Sequence, residues 1–227
     1  MEDRTTKGRI LARAYQLAGL YGLESLTIGR LAGDLAMSKA GIYGHFGSKQ
    51  GLQLETIRHA RAQFLHDVVT PAQSATDGVP RLLAMCAALL SYRGETGLHG
   101  GDFWVTVFHE YAARSGPVRA AVEATMRWWM RHIEELVTTG IALGQLTQDD
   151  AAQVAFEIQA LLGAASHQYR LLHDPEAITR GETAILHRLE TLRGPRFPAL
   201  AKPPRTGTGG SDRLLQAASR ADPGSDT

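Results

Sequence analysis

The sequence predicts an all-α protein with an N-terminal three-helix unit and a C-terminal bundle of longer helices. Apolar residues recur three and four positions apart along most of the chain, and glycine or proline stands where these periods stop. Residues 78 to 193 contain no alternating pattern typical of strands. The chain has 227 residues, 44% of them apolar, which is enough for one large or two small packed domains.

Composition favours a cytoplasmic protein without a membrane segment. The single cysteine, Cys86, excludes an internal disulfide framework and suits a reducing compartment. The longest apolar run, Leu82 to Leu90, is too short to cross a bilayer, and the chain does not start with a secretory signal. The net charge of +1 by itself neither favours nor excludes nucleic acid.

The first helix is predicted from Thr6 to Tyr21, with Gly22 as its C-terminal cap. Residues 26 to 52 then read as two short helices joined by a tight turn and followed by a third. Ser38 is the predicted N-cap of the second short helix, and Ile42 and Phe46 resume the apolar spacing inside it. The first turn of that helix would be positive and face outward, which suits a phosphate group.

The later elements are longer helices. A helix from Ser48 to Thr70 is stopped by Pro71 and links the N-terminal unit to the rest of the chain. The predicted helices after it are Val79 to Tyr92, Phe103 to Arg114, Pro117 to Leu143, a helix that runs to His173 from a capping box of Thr147 and Asp150, and a last helix from Asp174 and Pro175 to about Leu192.

These elements predict three regions and a tail. Residues 1–52 form the helix-turn-helix domain, 53–70 connect, and 71–193 form the second helical domain. Ten of the last 34 residues are glycine or proline, so residues 194–227 are predicted to be a disordered tail. Residues 1–70 carry a net charge of +3 and residues 71–193 one of −4, so the helix-turn-helix lies at the basic end, although ordinary scatter of surface charge gives a similar difference.

The segment from residue 27 to 52 resembles the DNA-binding segment of the TetR (tetracycline repressor) family of bacterial transcription regulators. The family pattern, T-x-x-x-[IL]-A-x-x-x-x-[VM]-S-x-x-x-[LI]-Y-x-H-F-x-S-K-x-x-L, is matched in register by Thr27, Leu31, Ala32, Met37, Ser38, Ile42, Tyr43, His45, Phe46, Ser48, Lys49 and Leu52. The resemblance implies a homodimer that binds a palindromic operator on double-stranded DNA and is released by a small-molecule effector. It makes a repressor the expected function.

The same resemblance implies which residues meet DNA. Ser38 to Phe46 would lie in the major groove, Tyr43 and Lys49 match phosphate-contacting positions, and Thr27 and His45 match further contact positions. Ile42 and Phe46 are instead expected in the core of the head. The predicted DNA-binding residues are Thr27, Ser38, Lys39, Ala40, Gly41, Tyr43, Gly44, His45 and Lys49.

The chain departs from the family at positions 40, 41 and 44, where relatives often carry larger or hydrogen-bonding side chains. Ala40, Gly41 and Gly44 stand there, and each glycine costs a helix about 1 kcal/mol relative to alanine. We hypothesise that the backbone approaches the bases unusually closely. The alternative is that base reading depends on Lys39, methyl contacts and DNA shape.

Aromatic residues are concentrated in the predicted second domain and suggest an apolar ligand pocket. The alternative for each is a plain core position, and Trp128 and Trp129 point about 100° apart on a helix, so both cannot fill one narrow cavity. The candidate pocket residues are Phe103, Trp104, Phe108, His109, Tyr111, Trp128, Trp129 and Phe156.

The last two helices offer apolar faces that can form a four-helix bundle between two subunits, as in the family. The alternative is burial within one subunit. The candidate interface residues are Ile158, Leu161, Leu162, Ala165, Tyr169, Ile185 and Leu189.

No motif predicts catalysis, a metal site or a cofactor. The nine histidines show no metal-ligand spacing, and there is no Ser-His-Asp or paired-carboxylate signature. Two alternatives to a regulator remain: a helical small-molecule-binding or interaction protein without sequence-specific DNA binding, whose support is the pair Gly41 and Gly44, and an enzyme built on a helical bundle.

Overall fold

The computed structural model describes residues 5–96 and 103–199 together with Leu214. Over these residues the chain is helical and contains no β-strand, which confirms the predicted fold class. The α-helices are α1 (Thr6–Tyr21), α2 (Ile28–Asp34), α3 (Lys39–Phe46), α4 (Lys49–Phe64), α5 (Thr70–Ala72), α6 (Val79–Thr96), α7 (Phe103–Tyr111), α8 (Pro117–Ala142), α9 (Ala151–Leu172) and α10 (Glu176–Thr191). A 3-10 turn (Leu23–Ser25) follows α1, and a π-helical turn (Leu65–Val69) follows α4.

Hydroxyl side chains start each of the first three helices. Thr5, Thr27 and Ser38 have extended backbones, and their side-chain oxygens accept from the N–H groups three residues ahead, at 3.0 to 3.1 Å. The helix α1 spans the predicted residues and ends at Gly22, whose φ of +85° suits a residue without a Cβ.

The connecting helix differs from its prediction near Pro71. Helical backbone continues through Pro71 to Ala72 rather than stopping at Thr70, and the turn before it, Leu65–Val69, is π-helical. Proline has no N–H, and in an α-helix its ring clashes with the carbonyl four residues earlier. The wider π turn is the local form that accommodates proline here.

The predicted capping box before α9 is wrong. Asp150 itself is the N-cap, because its carboxylate accepts from Ala152 N and Gln153 N, and the helix starts at Ala151. The Thr147 N–H and hydroxyl both donate to the Leu192 carbonyl oxygen, at 2.7 and 3.2 Å. A distant backbone partner therefore takes the place of the local cap.

The beginning of the predicted disordered tail is placed against the turn after α8. Gly194 N donates to Gln145 O and Arg196 N to Gly144 O, both at 2.9 Å, and Phe197 is buried. Gly194 has to be a glycine, because an added Cβ would lie 2.5 Å from the Gly144 carbonyl oxygen. The rest of the predicted tail, apart from Leu214, lies outside the described residues.

The chain divides into two compact units, which differ from the predicted domains at 1–52 and 71–193. The first comprises the described residues of Met1–Phe64 and Thr96–Met126, and the second those of Leu65–Glu95 and Arg127–Thr227. In the first unit α7 packs against α1, and Thr106 Oγ1 donates to Gly19 O at 3.0 Å. Contacts between residues 87 positions apart bring α7 to the N-terminal helices, and such contacts leave no periodic signal in the sequence.

In the second unit α9 and α10 pack as a close pair. A Cβ on Gly181 would lie 2.6 Å from the Ala165 Cβ, so the glycine allows the two helices to approach each other. None of the helices within the described residues combines the length and the apolar character that a membrane-spanning segment needs.

Candidate nucleic-acid interface

The helix α3 buries a narrow apolar stripe and leaves the rest of its surface uncovered. Ile42 is fully buried and Phe46 nearly so, which places both in the core of the first unit. The remaining residues of the helix are exposed, and so is its N-cap, Ser38. The first turn of the helix, in which the Gly41 N–H is capped by Ser38 Oγ, therefore lies on the exposed surface at the positive end of the helix dipole.

Small residues keep the exposed side of α3 flat. A Cβ on Gly44 would meet nothing within 4 Å, and one on Gly41 would meet only the Ser38 Oγ, at 3.1 Å. No packing contact within the described protomer therefore requires a glycine at position 44. Tyr43, 57% exposed, stands on the same uncovered surface together with Lys39 and His45.

The junction between α3 and α4 is fixed by two glycines. Gly47 has a φ of +68° and ends α3, with its N–H donating to Tyr43 O. A Cβ on Gly51 would lie 2.2 Å from the Phe46 carbonyl oxygen, so the start of α4 passes directly against the end of α3. This contact sets where Lys49 stands beside the helix α3.

Two other predicted DNA-binding residues lie beside α3. Thr27 is exposed, and its hydroxyl caps α2 by accepting from Arg30 N. Lys49 is bound within the protein: its Nζ donates to the Glu24 carbonyl oxygen at 2.7 Å and to Glu24 Oε2 at 2.8 Å. Ala40 is exposed on the first turn of α3.

A carboxylate network holds the 3-10 turn that carries Glu24. Glu24 Oε1 accepts from the Tyr111 hydroxyl at 2.6 Å and from Gln53 Nε2 at 3.1 Å. The Lys49 ammonium and the Tyr111 hydroxyl lower the pKa of Glu24 from 4.5 to about 2, so Glu24 is ionised at neutral pH. Burial and the adjacent Glu24 carboxylate raise the pKa of Tyr111 above its usual range.

A second carboxylate caps the same turn. Glu110 Oε2 accepts from Leu23 N at 2.6 Å and Oε1 accepts from Glu24 N at 3.1 Å. A Cβ on Gly22 would lie 2.8 Å from Glu110 Oε1, so this position needs a glycine for the carboxylate to approach. Sequence reasoning missed Glu24, Gln53 and Glu110 as site residues, because no local pattern relates them.

Four of the candidate pocket residues of the first unit lie in or beside one row of rings. Phe103 stacks on Tyr15 at 5.2 Å between centroids and lies edge-on to Trp104 at 5.0 Å, while Trp104 stacks on Phe108 at 5.5 Å. Tyr111 is buried at the end of α7, the helix that carries Phe103, Trp104 and Phe108. His109 is exposed and lies outside this row.

The other three candidate pocket residues belong to the second unit. Trp128 stacks face to face on His132, and Trp129 Nε1 donates to Gln159 Oε1 at 2.6 Å. Burial lowers the pKa of His132, which favours its neutral form. Phe156 is 60% exposed, so within the described protomer it does not line an enclosed pocket, in contrast to its prediction.

Most of the candidate interface residues are buried within the protomer. Ile158, Leu162, Ala165, Ile185 and Leu189 are at most 4% exposed, so they hold α9 against α10, as the alternative interpretation expected. Leu161 and Tyr169 are half-buried.

The surface that α9 leaves uncovered is formed by different residues. Phe156, Leu171 and Leu172 are each at least 60% exposed. Between them, Ala160 and Ala164 are exposed, and a Cβ on Gly163 would meet nothing within 4 Å. The uncovered part of α9 therefore includes an apolar stripe that is small-sided at its centre, defined by Phe156, Ala160, Gly163, Ala164 and Leu171, with the exposed His167 on the same face.

Cys86 and the histidines are the remaining candidates for a metal site or a reactive group. No group of three His, Cys, Asp or Glu residues is placed to hold a metal ion in the part of the chain that the structure describes. Burial raises the pKa of the Cys86 thiol from 9.0 to about 12, so Cys86 is a buried apolar group and a poor nucleophile.

Comparison with known proteins assigns both parts of the chain. Residues 10–56 match the family model described as "Bacterial regulatory proteins, tetR family", and residues 78–185 match that described as "Tetracyclin repressor-like, C-terminal domain". The chain is 31% identical over 98 residues to the tetracycline repressor protein class G of Vibrio anguillarum, a match that covers 42% of this chain and 46% of that protein. The chain thus matches about half the length of this curated relative.

Solved structures show the same fold. A TetR transcriptional regulator from Chloroflexus aurantiacus has a TM-score of 0.68 at 27% identity, covering 82% of this chain and 92% of that one. AibR, in complex with isovaleryl coenzyme A and operator DNA, has a TM-score of 0.62 at 21% identity, covering 82% and 96%.

The short helices α2 and α3 form a helix-turn-helix, and longer helices follow it along the chain. This is the architecture of a DNA-binding transcription regulator. With both family models matched, the chain belongs to the TetR family of transcription regulators, which confirms the resemblance on residues 27 to 52.

Proposed function

We propose that the protein is a ligand-responsive repressor that binds a palindromic operator as a homodimer in the cytoplasm and is released by a small-molecule effector. The observation that carries the proposal is the uncovered surface of α3, where Gly41, Tyr43, Gly44 and His45 face solvent on a helix whose positive N-terminal end, at Ser38, is also exposed. AibR, which has the same fold, was solved in complex with isovaleryl coenzyme A and operator DNA, which supports the pairing of DNA binding with ligand binding.

The surface of α3 fits a close approach to the floor of the major groove. A groove about 12 Å wide admits one helix, and side chains on the facing surface determine how near its backbone comes to the bases. Because positions 41 and 44 carry no Cβ, the backbone of α3 can come closer than that of a helix with larger residues there. Lys39 and Tyr43 then supply the polar contacts.

DNA binding is tested with the full chain and fluorescein-labelled duplexes selected from a random library. We expect selection of an inverted repeat whose half-sites are about one helical turn apart, because a twofold dimer presents two copies of α3. Binding measured by fluorescence anisotropy should weaken steeply as salt rises from about 50 to 200 mM. Failure to select any sequence, with no salt-dependent binding, would favour the interaction-protein alternative.

The dimer proposal depends on the apolar stripe of α9. A face of alanine and glycine flanked by Phe156 and Leu171 allows two helices to approach closely around a twofold axis. Ala164→Arg should convert the dimer to a monomer in sedimentation velocity experiments. Thr138→Arg, on an exposed position of α8, is the matched control and should remain a dimer.

The effector proposal depends on the aromatic residues of α7 and α8. The chain has three tryptophans, Trp104, Trp128 and Trp129, and all three are candidate pocket residues. A ligand that binds beside any one of them should therefore change the intrinsic fluorescence of the protein. Native mass spectrometry of the freshly purified protein identifies a molecule to titrate, and release of the labelled operator by that molecule completes the test.

A further inference from the structure

The ion pair between Lys49 and Glu24 occupies a residue that the family resemblance predicts to contact a DNA phosphate. A lysine ammonium has three N–H donors, and two of those on Lys49 are directed to the Glu24 carbonyl oxygen and to Glu24 Oε2. The pair is partly exposed, with 42% of the Lys49 side chain and 34% of that of Glu24 accessible. An exposed pair of this kind is weak, so a phosphate group can replace the carboxylate as the partner of Lys49.

The Glu24 carboxylate is held in place independently of Lys49. Its other oxygen accepts from the Tyr111 hydroxyl and from Gln53 Nε2, and its backbone N–H donates to the Glu110 carboxylate. Tyr111 and Glu110 both belong to α7. A phosphate that takes Lys49 away from Glu24 therefore still meets a fixed negative charge close by.

We propose, on the basis of the proposed function, that Glu24 is an internal competitor of DNA phosphate for Lys49 and lowers the affinity of the protein for every DNA sequence. Glu24 is therefore an affinity-determining residue although it offers DNA no donor. Because α7 holds Glu24, the strength of this competition depends on an element that also carries candidate effector-binding residues.

Competition and a simple positioning role predict opposite changes in DNA affinity when the charge of Glu24 is removed. If Glu24 only orients Lys49, removal of its charge weakens DNA binding. If Glu24 competes with phosphate, removal of its charge strengthens binding to all sequences equally, since phosphate contacts carry no sequence information. Glu24→Gln keeps the length of the side chain and one acceptor oxygen while it removes the charge, and it is the variant of choice.

The experiment measures anisotropy of the selected operator and of an unrelated duplex with the full chain at several salt concentrations. Glu24→Gln should bind both duplexes about 3- to 10-fold more tightly at low salt, with a steeper salt dependence by up to about 0.9 in the logarithmic slope. In a Lys49→Ala background the same substitution should give less than about a 2-fold gain, because the contested ammonium is gone. Asp34→Asn is the matched control: it removes one charge from the Arg13 ion pair of the same unit, whose arginine is not a predicted contact, and should change affinity less than 2-fold.

A second variant of Glu24 and a measurement of folding keep the test decisive. Glu24→Asp shortens the carboxylate so that it cannot span Tyr111 and Lys49 together, and it should give a smaller gain in the same direction; melting curves establish that each variant is folded. Unchanged or weaker binding by folded Glu24→Gln, while the wild type binds its operator, overturns the competition and leaves the proposed function intact. Absence of salt-dependent DNA binding by the wild type overturns both.

Discussion

Two sides of the first unit are built in opposite ways. On the side of α3, Gly41 and Gly44 have almost no neighbours, and the polar groups of the helix face solvent. On the side of the 3-10 turn, Glu110 and Tyr111 fix Glu24 through hydrogen bonds of 3.1 and 2.6 Å. The difference shows that polar pairing fixes the 3-10 turn, whereas the exposed surface of α3 is open to a partner.

The close approach of α3 to DNA is tested by a larger side chain on its uncovered surface. Gly44→Leu places a branched side chain in open space, so we expect the fold and melting temperature to be retained, while affinity for the selected operator falls about 100-fold or more because the backbone cannot approach the bases. Circular dichroism and anisotropy measure the two quantities. Lys49→Ala is the comparison variant, and it should weaken binding to the operator and to unrelated duplexes by about the same factor. Operator affinity unchanged in Gly44→Leu would exclude the close approach of α3.

Alanine at two glycines of the first unit should change stability in opposite directions. Gly51→Ala forces a Cβ against the Phe46 carbonyl oxygen and should lower the free energy of unfolding by about 2 to 3 kcal/mol. Gly44→Ala meets no neighbour and should raise it by about 0.5 to 1 kcal/mol through helix propensity. Urea titrations of both variants measure the contrast, and effects of the same sign would contradict it.

The fixed side is tested at Glu110. Glu110→Gln replaces a carboxylate that accepts from Leu23 N and Glu24 N by a neutral amide with one acceptor oxygen, so we expect a loss of about 1 to 2 kcal/mol in the free energy of unfolding. Glu190→Gln, on an exposed position of α10, is the control and should cost less than about 0.5 kcal/mol.

These two sides also differ in how far the sequence predicts them. The N-cap Ser38, the buried pair Ile42 and Phe46, and the bounds of α1 all follow from local chemistry, and the structure confirms them. The pairing of Glu24 with Tyr111 joins residues 87 positions apart, and the structure alone shows it. The same limit explains the capping box, where Leu192, 45 residues away, replaces a local partner of Thr147.

The buried faces of α9 and α10 illustrate a related limit. Apolar periodicity identified Ile158, Leu162 and Ile185 as residues that must be covered, and they are covered, but by each other's helices within one protomer. Apolar periodicity predicts which side of a helix is buried. It does not predict whether the covering residues belong to the same protomer or to a second one. The exposed stripe from Phe156 to Leu171 was missed because its centre is alanine and glycine, which carry little apolar signal.

The smallest expected effect concerns the dependence of stability on pH. The pKa of Glu24 is lowered in the folded protein from 4.5 to about 2, so its contribution to stability is complete above pH 4.5 and is lost as the pH falls from 4.5 towards 2. At pH 7, Glu24→Gln should cost about 1 kcal/mol, a modest value because the Lys49 pair is partly exposed to solvent. Urea titrations of the wild type and the variant at pH 7, 4.5 and 3 give the difference directly, and carboxylates elsewhere in the chain cancel in it. We expect that difference to shrink steadily below pH 4.5, and a difference that stays constant down to pH 3 would mean that the ionised carboxylate is not what fixes the 3-10 turn.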